Sequence, residues 1–355
     1  MAVGRRMVFT EPGRPLVCET TATVAPGDGE VLLRTSIAGV CGTDAHRLAG
    51  DLPQPAVPIT FGHEGIGEIV ELGRGVTTDA AGTPVAVGDV VFFSPSSRGV
   101  PGEASGPGWP APAHLPNPAA YQDHPTLPAD NAFYRIPDDV DPESVIAFGC
   151  AMPTAIGGMS RLGGIAPRET VVVQGCGPVG LAATVLAGLS SASQIIVIGD
   201  PSDRLAAATR LGATVTIPLA GTTPADRRER VLELTGGRGA EVVIECAGRM
   251  EAFAEGMDLL GAGGRYLVMG IYSGRGGVEL DVVRLNNLSQ RVIGTMGPTS
   301  HADYLTTIHL AQRHGERLGF ADLITHRFGL ERLEDAIGVA GRGESIKTVV
   351  LPSMG

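Results

Sequence analysis

After Thr170 the chain repeats one texture, a short apolar run followed by a helical stretch. "TVVVQG" precedes a helix from about Pro178, "QIIVIG" precedes "SDRLAAATRLG", and "AEVVIECAG" precedes "MEAFAEGMDLLG"; "GRYLVMG" comes next. Strands that are apolar on both faces need cover on both sides, and their alternation with helices makes them parallel. The pattern predicts a doubly wound α/β domain over 152–297, ending at "RVIGTMG". The first part of the chain differs. From Val3 to about Val91, runs such as "VLLRTSIAGV" are broken by Gly, Pro and Asp turns and read as a β-rich domain. The segment 298–355 has a helix from His301 and a final "SIKTVVLP" strand, and it is expected to return to that domain. Residues 1–151 with 298–355 then form one domain and 152–297 the other, in keeping with a length of 355 residues.

Composition narrows the function classes. A net charge of −11 with no block of Lys and Arg offers no surface for nucleic acid or anionic lipid. No apolar run reaches the ~20 residues of a membrane span, and "MAVGRRMVFTEPG" lacks the apolar core of a secretory signal. The five cysteines are scattered with no C-x-x-C pair, which argues against a disulfide framework. A cytoplasmic, reducing setting is expected. Between Ser94 and Asp130, nine prolines and four glycines exclude long helices and predict an irregular lobe, which also holds the only tryptophan, Trp109.

Gly175-Cys176-Gly177-Pro178-Val179-Gly180 is a G-x-G-x-x-G that follows an apolar strand and opens a helix. With 51 glycines in the chain such a triple arises by chance about once, so its context carries the inference. The tight turn needs Gly175, close approach of a pyrophosphate needs Gly177, and packing of helix on strand needs Gly180. Asp200, 25 residues after Gly175, would accept from the adenosine ribose hydroxyls and repel a 2′-phosphate, which favours NAD over NADP. It reads alternatively as part of the next helix's N-cap. Gly199 precedes it, and Arg204 is the nearest cation. Ala247 and Gly270, at the ends of the next two apolar runs, complete the candidate cofactor contacts.

Cys41 lies in "AGVCGTDAHRLAG" with Thr43, Asp44 and His46; His63 and Glu64 follow 22 and 23 residues later, and Cys150 stands in "FGCAMPTAIGG". Singly, each cysteine reads as a small hydrophobe and the histidine as a structural residue. Together, two thiolates and an imidazole suit zinc with one open position, although their spacing is not diagnostic.

The surroundings of these residues are more specific. "GHEGIGEIVELGRGV" has the G-H-E-x-x-G-x-x-x-x-x-G-x-x-V form of the zinc-containing medium-chain alcohol dehydrogenases, and "CGTDAH" resembles that family's first ligand motif. The similarity continues in the same order through the third ligand, the dinucleotide turn and "SIKTVV". The resemblance implies a GroES-like catalytic domain beside a Rossmann domain, and a homodimer or homotetramer. It implies Cys41, His63 and Cys150 as ligands of one catalytic zinc, with Glu64 behind the metal as an occasional ligand and Asp44 holding the His63 ring. Zinc at an alcohol oxygen would lower its pKa and let hydride pass to the nicotinamide. The proton would leave through Thr43, the nicotinamide ribose and His46. Lys347 resembles the basic residue that reaches the pyrophosphate, or is a solvated lysine.

Two departures from the family pattern stand out. Many relatives carry four close cysteines for a structural zinc after the His-Glu pair, and here that segment has none. The family's acidic residue at the adenosine end often falls at the position of Gly199, which puts Asp200 one place late. A small-molecule alcohol is the expected substrate, and the apolar character of Phe93, Trp109, Tyr121, Ile271, Tyr272 and Met296 favours a hydrophobic or cyclic secondary alcohol. One rival is a metal-free NADPH-dependent quinone or enone reductase of the same fold, which would lack the cysteine ligands. The other is a non-catalytic dinucleotide-binding protein, for which the zinc and relay residues would need another explanation.

Overall fold

The computed structural model describes residues 3–52, 57–97, 118–273, 276–300 and 302–354, so the expectation for Trp109 lies outside the described residues. It divides into two compact units, 1–150 with 300–355, and 151–299. No helix among the described residues is long and apolar enough to cross a membrane.

The first unit is β-rich. Strands β1 (Val3–Val8) and β2 (Val17–Ala22) pair antiparallel. A second sheet contains β3 (Val31–Val40), β4 (Gly65–Leu72), β5 (Val90–Ser97), β6 (Thr126–Leu127) and β7 (Asn131–Arg135), joined late in the chain by β14 (Ile324–Gly329) and β15 (Lys347–Leu351). Its order is β14-β15-β3-β4-β5-β7, with β6 on β3. The core beneath it holds Phe9, Phe61, Phe93 and Tyr121, with Phe61 edge-on to both Phe9 and Tyr121. The described part of the proline-rich segment makes no helix and is tied by its backbone. Ala120 N–H donates to Gly62 O at 3.0 Å and Met7 N–H to Tyr121 O at 3.0 Å.

The second unit is the doubly wound sheet. Strands β8 (Thr170–Gln174), β9 (Gln194–Gly199), β11 (Ala240–Glu245), β12 (Leu260–Val268) and β13 (Arg291–Gly294) fall where the apolar runs place them, and the short β10 (Val215–Pro218), which no such run announced, joins them. All neighbouring pairs are parallel in the order β10-β9-β8-β11-β12-β13. The order reverses between β8 and β11. In such sheets ligands bind at that reversal, outside the carboxyl ends of the strands. The glycine-rich turn leaves β8 there.

Candidate metal centre and dinucleotide turn

The metal-like residues are brought together by three chain segments. Cys41 follows β3 directly and caps the helix Gly42–Ala49. His63 and Glu64 precede β4, after Gly62 at φ +107°, a conformation that L side chains rarely adopt. A Cβ on Gly62 would also stand 2.9 Å from the Tyr121 ring. Cys150 comes from the turn after Gly149. One ligand atom each of Cys41, His63, Glu64 and Cys150 lies within 4.8 Å of the others.

The donor set suits zinc. The Cys41 and Cys150 sulfurs are 3.6 Å apart, well beyond the ~2.05 Å of a disulfide bond, and both cysteines are free. Hydrogen bonding from Cys150 pulls the Cys41 thiol well below its ordinary pKa, with His63 adding to the effect, while the same bond and burial push Cys150 up. A divalent cation would stabilise both as thiolates and release their protons. Burial opposes charge on His63, but Asp44 and Cys41 outweigh it and raise its pKa.

The supporting contacts separate ligands from props. Asp44 is fully buried, and its Oδ2 accepts from Cys41 N–H at 2.9 Å and from the Tyr121 hydroxyl at 2.6 Å. Its Oδ1 faces His63 Nδ1 at 3.5 Å, which leaves Nε2 for a metal and fits the orienting role expected of Asp44. Burial pushes the Tyr121 hydroxyl up, so it remains a donor. Tyr121 therefore supports Asp44 rather than lining a substrate pocket. Glu64 Oε1 accepts from Cys150 N–H at 3.0 Å, and its Oε2 pairs with Lys347 Nζ. With both oxygens engaged, Glu64 stands behind a Cys41–His63–Cys150 set.

Lys347 departs from expectation. It is 2% exposed, and its Nζ donates to Glu64 and to Val40 O at 3.1 Å. Burial works against its charge, but Glu64 together with Cys41 and Cys150 outweighs it and raises its pKa. An ammonium held this way has Glu64 and Val40 O as its contacts. Thr43 Oγ1 lies 3.5 Å from Cys41 Sγ, and His46 is half-exposed with Nδ1 3.1 Å from Asp51. No hydrogen bond of the described residues joins Thr43 to His46.

The turn after β8 has the features a pyrophosphate needs. Gly175 sits at φ +98°, and a Cβ on Gly180 would overlap its carbonyl. A Cβ on Gly177 would meet nothing within 4 Å, so open space lies against the backbone there. Gly177 caps the helix Pro178–Leu189 without any side-chain bond, and Pro178 opens it, which leaves N–H groups for an anion. Val179 follows in the same first turn. A Cβ on Gly199 would overlap Cys176 Sγ, so the packing there favours glycine. Asp200 is half-buried, its Oδ2 accepting from Ala220 N–H at 2.7 Å, and Arg204 is half-buried nearby. Ala247 and Gly270 meet around Glu245, which sequence reasoning passed over. Its signal was the second glutamate of "AEVVIE", which closes the apolar run.

Among the apolar candidates, Phe93 is buried, and a Cβ on Gly65 would overlap its ring. Ile271 is half-buried. Met296 is 77% exposed, so it forms no enclosed wall.

Comparison with known proteins follows the same division. Residues 27–138 match the family described as alcohol dehydrogenase GroES-like domain, and 178–313 match zinc-binding dehydrogenase. The chain is 41% identical to a 5-exo-hydroxycamphor dehydrogenase of Pseudomonas putida, across 99% of both chains. It is 30% identical to a sorbitol dehydrogenase of Halalkalibacterium halodurans, across 92% of this chain and 93% of that one. An alcohol dehydrogenase structure from Thermotoga maritima superposes with a TM-score of 0.90 at 26% identity, covering 99% of this chain and 100% of that one.

Proposed function

We propose, from the premise that this chain belongs to the zinc-containing medium-chain alcohol dehydrogenase family, that it interconverts an apolar cyclic secondary alcohol and its ketone with NAD. The observation that carries the reading is the cluster of Cys41, His63 and Cys150, with Glu64 engaged by Lys347 and Cys150 N–H. When bound, zinc supplies Lewis acidity at the alcohol oxygen and NAD supplies the hydride acceptor. Cys41, His63 and Cys150 hold the metal, and Asp44 fixes the imidazole so that Nε2 is presented. The open space at Gly177 and the N–H groups of the helix start behind it, uncapped by any side chain, would hold the pyrophosphate. Thr43 Oγ1, beside Cys41 Sγ, accepts the substrate proton, and half-exposed His46 releases it to solvent.

The substrate class rests on the hydroxycamphor dehydrogenase as a relative and on apolar Phe93 and Ile271. NAD is favoured over NADP because Asp200 abuts the turn through its carbonyl, which accepts from Cys176 Sγ at 3.3 Å, and a carboxylate there repels a 2′-phosphate. The deciding experiment is a kinetic panel with bicyclic secondary alcohols and with sorbitol, each with NAD and NADP. The bicyclic alcohols with NAD are expected to lead by at least ~10²-fold in kcat/KM, since apolar fit and ion repulsion each contribute roughly tenfold. Polyols ahead of bicyclic alcohols, or NADP ahead of NAD, would sink this reading.

The relay has its own expected result. His46→Ala lowers kcat about tenfold near neutral pH, a loss that concentrated small-molecule buffer restores by carrying the proton instead. An unchanged kcat in dilute buffer would remove His46 from the route.

A further inference from the structure

Strand β5 presents different chemistry on its two faces. Phe93, opposite Gly65 of β4, enters the core of the first unit. Phe92 and Ser94 alternate with it and point to the other face, where Tyr304 of the helix Ala302–Leu310 packs. The Tyr304 ring centroid lies 5.5 Å from that of Phe92 and 6.3 Å from that of Tyr134, on which it stacks, and its hydroxyl shares a hydrogen bond with Ser94. The phenol therefore runs along β5 from Phe92 to Ser94. That is the direction of the metal cluster, because the β4–β5 ladder ends at Gly65 and Phe93, with Glu64 and Ser94 next beyond it. Pairing of β5 with β7 shifts between Phe93 and Ser97, and Asn131 Nδ2 donates to Ser94 O at 3.1 Å. Irregularities of this kind re-aim side chains beside a site.

The pair has a donor to offer. Two hydroxyls bonded to each other use one proton between them and leave the other. Among the described residues neither hydroxyl has another hydrogen-bond partner. Burial raises the phenol's pKa against the bond from Ser94, and the charges of Cys150 and Glu64 push the same way, so the hydroxyl keeps its proton. Tyr304 is 7% exposed and Ser94 8%, against 1% for Phe92, so the pair touches open space while the ring stack beneath it is sealed. Sites for apolar ligands fix orientation with a few such polar groups in an otherwise apolar wall. A substrate whose alcohol oxygen sits at the cluster meets this donor with the rest of its body.

We propose that Tyr304, supported by Ser94, is a specificity determinant that donates a hydrogen bond to a second oxygen of the alcohol substrate, a ring carbonyl; the inference rests on the function proposed above. The test is steady-state kinetics of the zinc-loaded protein with a bicyclic secondary alcohol that carries a ring ketone and with the same alcohol lacking it. The parent is expected to favour the ketone-bearing alcohol about tenfold in kcat/KM, the scale of one buried hydrogen bond. Tyr304→Phe keeps the ring stack and removes the hydroxyl, so the preference falls to about twofold or less while zinc content stays at the parent level. Ser94→Ala removes the anchor of the phenol and is expected to cut the preference at least about threefold, which keeps the test decisive even if Tyr304→Phe fails to fold. A parent that oxidises both alcohols without preference overturns the inference, as does an unchanged preference in either variant. Loss of zinc, or an equal loss of activity on both alcohols, would assign the hydroxyl to the metal or the fold instead and also overturn it. A parent that oxidised polyols and neither bicyclic alcohol would remove the proposed function and this inference with it, an outcome distinct from the others.

Discussion

Cys150→Ser is expected to drop bound zinc from about one per chain to a small fraction, and kcat/KM by about 10³-fold or more. Serine is a close steric match but a poor zinc donor, because its hydroxyl holds its proton far more tightly than a thiol does. The change is also local. Glu64 Oε1 accepts from the backbone N–H of Cys150, and Oε2 from Lys347, so neither contact depends on the sulfur. The support behind the metal should survive while one ligand is lost. Elemental analysis of metal-replete parent and variant, with steady-state kinetics on both, checks the result. A variant retaining full zinc would remove Cys150 from the ligand set.

The second large effect separates coenzyme binding from folding by two substitutions in one turn. Gly177→Val puts side-chain atoms into space that is open in the protein alone, so the Tm should stay within about 2 °C while the Kd for NAD+ rises about 100-fold. Gly180→Ala puts its Cβ into the Gly175 carbonyl, and that backbone cannot step aside without disturbing the φ +98° turn. The expected result is a Tm lowered by several degrees together with weakened coenzyme. Calorimetry and NAD+ titration distinguish the two. A Gly177→Val protein that binds NAD+ like the parent would mean the pyrophosphate does not lie against this turn.

Much of the architecture was legible before any coordinates because its signals are local. Apolar runs bounded by helices settle as a covered parallel sheet, and β8, β9, β11, β12 and β13 lie where those runs predict them, while the four-residue β10 was too short to be read. The glycine turn is read the same way, since the requirements at Gly175 and Gly180 arise within a few residues of chain. Met296 is 77% exposed, and its apolar character in the sequence carried no mark of that.

Lys347 shows most clearly where local reading stops. In "GESIKTVV" a lysine at the start of an apolar strand looks like a surface residue or an anion contact. Only the antiparallel pairing of β15 with β3, Thr348 opposite Val40, carries its ammonium inward to Val40 O and to Glu64, 283 residues away in sequence. Tyr121 is a similar case. It belongs to a proline-rich segment with no periodicity, and backbone bonds to Phe61 and Gly62 seat its hydroxyl on Asp44. The amino-acid sequence by itself determined which chemistry this chain can hold: two thiols, an imidazole and a dinucleotide turn, on a β-rich unit and a parallel α/β unit. The tertiary structure alone decided which charged and polar groups come together and which of them engage one another. That choice depends on ångström-scale distances between strands remote in sequence, and no local pattern encodes them.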